Sequence, residues 1–110
     1  MTEPAGPPPT FFAFIERYPL LGEAWDKIHE AERQGPLDEK SIRLIKLAIA
    51  IGSMKEGAVH AAIRKAMAAG VSQHAIEQLV ALSASTIGLP SAVAIFSWMR
   101  DHGLMSATNA

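Results

Sequence analysis

Apolar residues recur at three- and four-residue spacing through most of the stretch from residue 11 to residue 103, and proline and glycine cut that pattern into six pieces. Residues 11–18 predict a short helix closed by Pro19, because the residue ahead of a proline is driven out of the helical conformation. In residues 20–33, Leu21, Ala24, Trp25, Ile28 and Ala31 form one stripe that should face a core, and Gly35-Pro36 ends it. The third piece opens at Asp38, whose carboxylate can accept from the free amides of a first helical turn. Leu37 and Ile42 flank it at the positions of a hydrophobic staple. The helix expected over 39–51 is apolar nearly all round beyond its first turn, so it should lie buried in the middle of the molecule.

Gly52-Ser53 interrupts the pattern, and an alanine-rich helix over 55–69 follows, closing at Gly70 in the left-handed conformation. Val71 and Ile76 repeat the staple geometry around Ser72 and introduce a fifth helix to Gly88. Pro90 suits the first turn of a sixth, running to about residue 102. Frequent alanine, leucine and methionine favour helix over strand. The fold class is therefore all-α, with about six helices and a central antiparallel helix hairpin turning around Gly52. Residues 1–10, with four prolines, form an extended arm; residues 11–103 form one domain; residues 104–110 form a frayed tail.

Charge and composition remove several classes of function. Ten Lys and Arg against eleven Asp and Glu leave no basic surplus for a nucleic acid. No apolar run approaches the ~20 residues of a membrane-spanning helix, and the N-terminus lacks the pattern of a signal peptide, so a cytoplasmic protein is expected. Without cysteine there is no thiol peroxidation, no redox disulfide and no Cys-ligated metal. Phosphate loops, zinc-protease strings and nucleophile elbows are also missing from the sequence.

One constellation carries possible chemistry. Glu56, His60 and Arg64 are spaced by four on the fourth helix and share one face, with the imidazole between a carboxylate and a guanidinium. A histidine so placed can be fixed in one tautomer and serve as a general acid or base. The structural alternative is a solvated stripe on an otherwise buried helix. His29, His74 and His102 fall on different helices or helix ends without metal-ligand spacing, so surface or capping roles suit them, and neither a metal nor a cofactor is implied. Ser83, Ser85 and Thr86 read as small residues that allow close packing and bond back to the i−4 carbonyl. Trp25, Trp98 and the four phenylalanines read as core or subunit contacts.

The ordered run Leu37-Asp38-Glu39-Lys40-Ser41, then Leu44-Ile45-Lys46-Leu47-Ala48-Ile49-Ala50-Ile51-Gly52, then His60, Ala66, Ala69-Gly70-Val71 and Ile87-Gly88-Leu89-Pro90 resembles the carboxymuconolactone decarboxylase family, which shares its fold with the AhpD-like alkylhydroperoxidases. The resemblance implies that the third and fourth helices form the core hairpin, that the subunit assembles as a homo-trimer or homo-hexamer, and that the family histidine falls on His60. The peroxidase branch carries a Cys-x-x-Cys pair at positions that fall on Ser53 and Glu56, so that cycle is lost here. Many members place a glutamate where this chain has Arg43; Glu39, one turn earlier, either substitutes for it or pairs with Arg43.

The resemblance thus implies a cysteine-free, cofactor-independent decarboxylase (a lyase) acting on a small carboxylated lactone or related acid. His60 would be the acid, Glu56 its orienting partner, and Arg64 or Arg43 the group that holds a substrate carboxylate. The alternative is a catalytically silent member that binds a small molecule or serves as an oligomeric scaffold. An enzyme should place His60 in a closed, mostly apolar pocket near the hairpin's open end or a subunit boundary, with Glu56 or Arg64 within reach, whereas a silent scaffold should leave it on a flat solvated face.

Overall fold

A computed structural model describes residues 8–104. Six helices make up the described chain: α1 (Pro9–Arg17), α2 (Pro19–Glu32), α3 (Glu39–Ser53), α4 (Glu56–Ala68), α5 (Gln73–Ile87) and α6 (Leu89–Arg100). No strand occurs among the described residues, and none of these helices is long and apolar enough to cross a membrane. The chain gathers into two compact units, Met1–Leu37 and Asp38–Ala110.

The first unit is the pair α1 and α2. Pro9 and Pro19 stand at the opening of their helices, where a missing N–H costs nothing. Helix α1 thus starts inside the stretch assigned to the arm; residues 1–7 of that arm lie outside the described residues. Aromatic rings knit the pair, with Phe11 6.3 Å from Trp25 and Trp25 4.6 Å from His29 between ring centres. Neither helix has a buried residue, and Leu21, Trp25 and Ile28 are exposed. The stripe on α2 is present as the spacing requires, but α1 and α2 enclose no core of their own. Two helices alone cannot enclose an apolar face.

The second unit holds the core. Asp38 accepts from the Ser41 amide at 2.7 Å and Ser72 from the Ala75 amide at 3.1 Å, so both staple sequences cap their helices as expected. Such a cap is worth on the order of 1 kcal/mol. Leu47 and Ile51 from α3, Val59 and Ile63 from α4, Ile76 and Val80 from α5, and Ile95 and Met99 from α6 form one buried cluster. Helix α3 packs on α4 and α5, and α6 packs on α4 and α5.

Two features of α3 depart from the sequence pattern. First, it is buried along one face only: Leu47, Ala50 and Ile51 are enclosed, whereas Ile45 is exposed and Ile49 is 64% exposed. An all-apolar helix needs cover on every side, and α4 and α5 cover one. Second, the hairpin does not turn at Gly52. The helix continues to Ser53, whose hydroxyl donates to the carbonyls of Ile49 and Ala50, and Met54 takes the left-handed turn at φ 54°. A half-buried Met54 side chain against the core accompanies that uncommon backbone.

The ends of α4 and α6 are built alike. The Val71 amide reaches the Ala66 carbonyl at 3.0 Å and the Gly70 amide the Met67 carbonyl at 3.1 Å, with Gly70 at φ 85° and Val71 buried. After α6, the Leu104 amide reaches Met99 at 3.3 Å and the Gly103 amide Arg100 at 3.0 Å, with Gly103 at φ 75°. These are paired closures in which a left-handed glycine is followed by an apolar residue that folds back onto the helix. Leu104, assigned by sequence to a frayed tail, is only 2% exposed and joins the core, because the closure turns its side chain inward. Residues 105–110 lie outside the described residues.

Candidate functional site at the end of the hairpin

Helix α4 begins at Glu56, so the carboxylate stands in the first turn and His60 one turn further on, as the four-residue spacing demands. Val59, Ile63 and Ala66 of the same helix are enclosed, which leaves His60 half-buried at the boundary of the core. Its Nε2 lies 3.2 Å from Glu56 Oε2 and 3.9 Å from Asp101 Oδ2. Its Nδ1 lies 2.7 Å from His102 Nε2, and the two rings are 4.9 Å apart between centres. The site is therefore a linear chain, carboxylate to imidazole to imidazole, with a second carboxylate beside the first.

Sequence reasoning found Glu56 and His60 and missed Asp101 and His102. It assigned His102 to a surface or capping role, and that is corrected here: the side chain pairs with His60 across 42 positions of sequence. The local signal was the Gly103-Leu104 closure, which pins the end of α6 and with it the direction in which Asp101 and His102 project. Arg64 lies close enough to act electrostatically on His102. Arg43 is not in this cluster; its Nε donates to Glu39 Oε2 at 2.7 Å along α3, so Glu39 and Arg43 form the helix pair that their order favours.

Burial holds the His102 pKa below its ordinary value of 6.5, and the cationic forms of His60 and Arg64 push it the same way against the opposing pull of Asp101. Its neutral ring can accept a proton bond from His60 Nδ1–H while Glu56 accepts from Nε2–H. Each ring nitrogen of His60 thus has a hydrogen-bond partner. Folded protein holds fewer protons on His102 than unfolded protein does. Its contribution to stability is accordingly complete above the unfolded value of 6.5 and is lost as pH falls below that value and through the folded one. In EDTA-treated protein the melting midpoint is expected to drop from about pH 7 to about pH 5, and to drop less in His102→Gln. Equal slopes for the two proteins in scanning calorimetry would contradict this.

An apolar pocket at His60, which the sequence-based test for an enzyme required, is not what the described cleft provides. A cleft of about 290 Å³ is lined instead by α3 and α5, through Ala48, Ile51, Gly52, Leu79, Ser83 and Thr86 among others. Gly52 lines this cleft, and a Cβ added there would meet no neighbour within 4 Å. Ser83, read as a packing residue, bonds back to the carbonyl three residues earlier, that of Val80 at 2.7 Å, and not to the expected i−4 carbonyl; it also lines this cleft.

Comparison with known proteins bears on the whole arrangement. The family model described as the carboxymuconolactone decarboxylase family matches residues 19–101, from the first residue of α2 through Asp101. No curated protein and no solved structure gave a match. With well over half its length matched and an all-helical fold carrying His60 on the second helix of the core hairpin, the chain belongs to the carboxymuconolactone decarboxylase family.

Proposed function

We propose that the protein decarboxylates a small carboxylated lactone or a related acid by general acid chemistry at His60. The observation that carries this reading is the Glu56–His60–His102 chain, in which both ring nitrogens of one histidine are held, one by a partner on α4 and one by a partner in the turn after α6. In the reaction, the bond from the ring carbon to the carboxylate breaks and CO₂ leaves. The electron pair left on carbon is delocalised toward the lactone carbonyl, and His60 Nε2–H delivers the proton that quenches it. Glu56 orients the imidazole and, being 56% exposed, connects Nε2 to solvent for reprotonation. His102 fixes Nδ1. Arg64, one turn beyond His60, supplies a planar guanidinium for the departing carboxylate or the developing charge.

The assembly we propose is a homo-trimer or homo-hexamer. It is supported by the exposed apolar faces of α2 and α3, which a closed symmetric assembly would cover. A second reading, a silent member that binds a small apolar molecule, is favoured by the α3/α5 cleft. One preparation tests these readings together. Light scattering should give a multiple of the 11.8 kDa chain, and carboxylated lactones should release CO₂ and raise the melting temperature. A single-chain mass removes the assembly. Stabilisation by uncharged apolar ligands without any CO₂ release leaves the silent reading in its place.

A further inference from the structure

The two carboxylates that converge on His60 Nε2 exceed what an acid catalyst needs, since one orienting carboxylate suffices. Glu56, His60 and Asp101 each offer a ligand atom, and these atoms all lie within 4.8 Å of one another. Bonds of about 2.0–2.2 Å from nitrogen and carboxylate oxygen to a tetrahedral zinc-class ion place ligand atoms about 3.3–3.6 Å apart. His60 Nε2 already stands 3.2 Å from Glu56 and 3.9 Å from Asp101. Both carboxylate side chains are more than half exposed, so rotation about their own bonds closes the remaining gap without moving a helix.

The histidine is held as a ligand histidine is held. Its Nδ1 is engaged by His102 at 2.7 Å, and with the proton on Nδ1 the Nε2 lone pair is free for a metal, with Glu56 at 3.2 Å and Asp101 at 3.9 Å from that nitrogen. Ligating imidazoles characteristically have the other nitrogen so occupied, which fixes tautomer and ring direction. The donors also come from separate places: Glu56 and His60 from the first turns of α4, Asp101 from the end of α6 beside the closure at Gly103.

We propose that Glu56, His60 and Asp101 bind one divalent transition-metal ion of the zinc class, with water completing the shell and His102 holding the ligand histidine from behind. One nitrogen and two carboxylate oxygens suit zinc, cobalt or manganese, and cysteine-free coordination excludes a thiophilic preference. The ion takes the position that the proton takes in the acid. Metal and proton therefore compete for Nε2, and metal-loaded protein is inactive as a general acid. The binding claim itself does not rest on the decarboxylase reading, because it concerns affinity and not turnover.

The test is titration of EDTA-treated, dialysed protein with zinc chloride by calorimetry, and with cobalt chloride by visible absorption. One ion per chain is expected. Glu56→Gln and Asp101→Asn, at exposed positions that leave the core untouched, should each weaken binding by at least about tenfold, and His60→Ala should abolish it. His102→Gln, which removes only the outer partner, should weaken binding less than either carboxylate change. Binding that persists unchanged in His60→Ala, as at His29 or His74, overturns the site. So does wild-type affinity no higher than that of a protein carrying all three changes. Zinc binding without any decarboxylation would leave this site standing and remove the proposed reaction; decarboxylation without zinc binding would do the reverse.

Discussion

His60→Ala is expected to lower turnover of a carboxylated substrate by ~100-fold or more, the scale on which loss of a positioned general acid is felt. The variant should still fold. Helix α4 keeps its buried face of Val59, Ile63 and Ala66, and alanine is a strong helix former, so the backbone that carries the site is preserved. What changes is the neighbour. His102 loses one of the cationic groups that depress its pKa, so its titration should move up toward 6.5, a shift visible in the imidazole proton resonances. Three readouts then separate the roles of the residue. Lost turnover with a cooperative melt and a raised His102 titration supports the acid. A structural histidine would instead show a loss of roughly 1–3 kcal/mol, from a broken hydrogen bond at the core boundary, with ligand response intact.

The largest effect on stability is expected three residues further along the same helix. Ile63 has no solvent exposure and sits within the core cluster, and Ile63→Ala should cost about 2–5 kcal/mol. Total stability for a domain of this size is on the order of 5–15 kcal/mol, so the change removes a large share of it. Urea denaturation, read at several protein concentrations because subunit association shifts the midpoint, measures the loss. A change below about 1 kcal/mol would mean that the cluster can collapse around the missing atoms and that the α3–α4–α6 packing is looser than the burial of Ile63 indicates. Residues 60 and 63 thus divide the labour of one helix: the first belongs to the proposed site and the second holds the platform.

The fold was legible in the sequence to the extent that it rests on local signals. Asp38, Ser72, Gly70 and Pro90 each act within one helical turn, and each stands where its chemistry placed it. The hairpin turn was displaced because the pattern equates interruption with glycine, whereas Gly52 is helical and Met54 turns. The overestimate of burial on α2 and α3 has a different origin. Periodicity shows that a face is apolar but not what covers it, and Trp25, Ile28 and Ile49 stay exposed within a single chain.

The candidate site was half legible for the same reason. Glu56 and His60 are neighbours by helical arithmetic, so spacing found them. Asp101 and His102 meet them only because α4 and α6 pack together, a tertiary fact that the Gly103-Leu104 closure alone does not give. The family match itself ends at Asp101, one residue short of the histidine that holds Nδ1. Resemblance therefore supplied the helix that carries His60 but not the second imidazole.

Leu104 adds a dynamic consequence. Its side chain is enclosed, and its amide and that of Gly103 hold the last turn of α6 to Met99 and Arg100. His102 lies between those anchors. Swinging its ring away from His60 by backbone motion therefore requires the same opening that withdraws Leu104 from the core, and the two events share one free energy. The amides of residues 103 and 104 should exchange with solvent at the rate at which the histidine pair separates, so the closure after α6 is a clock for the opening of the site.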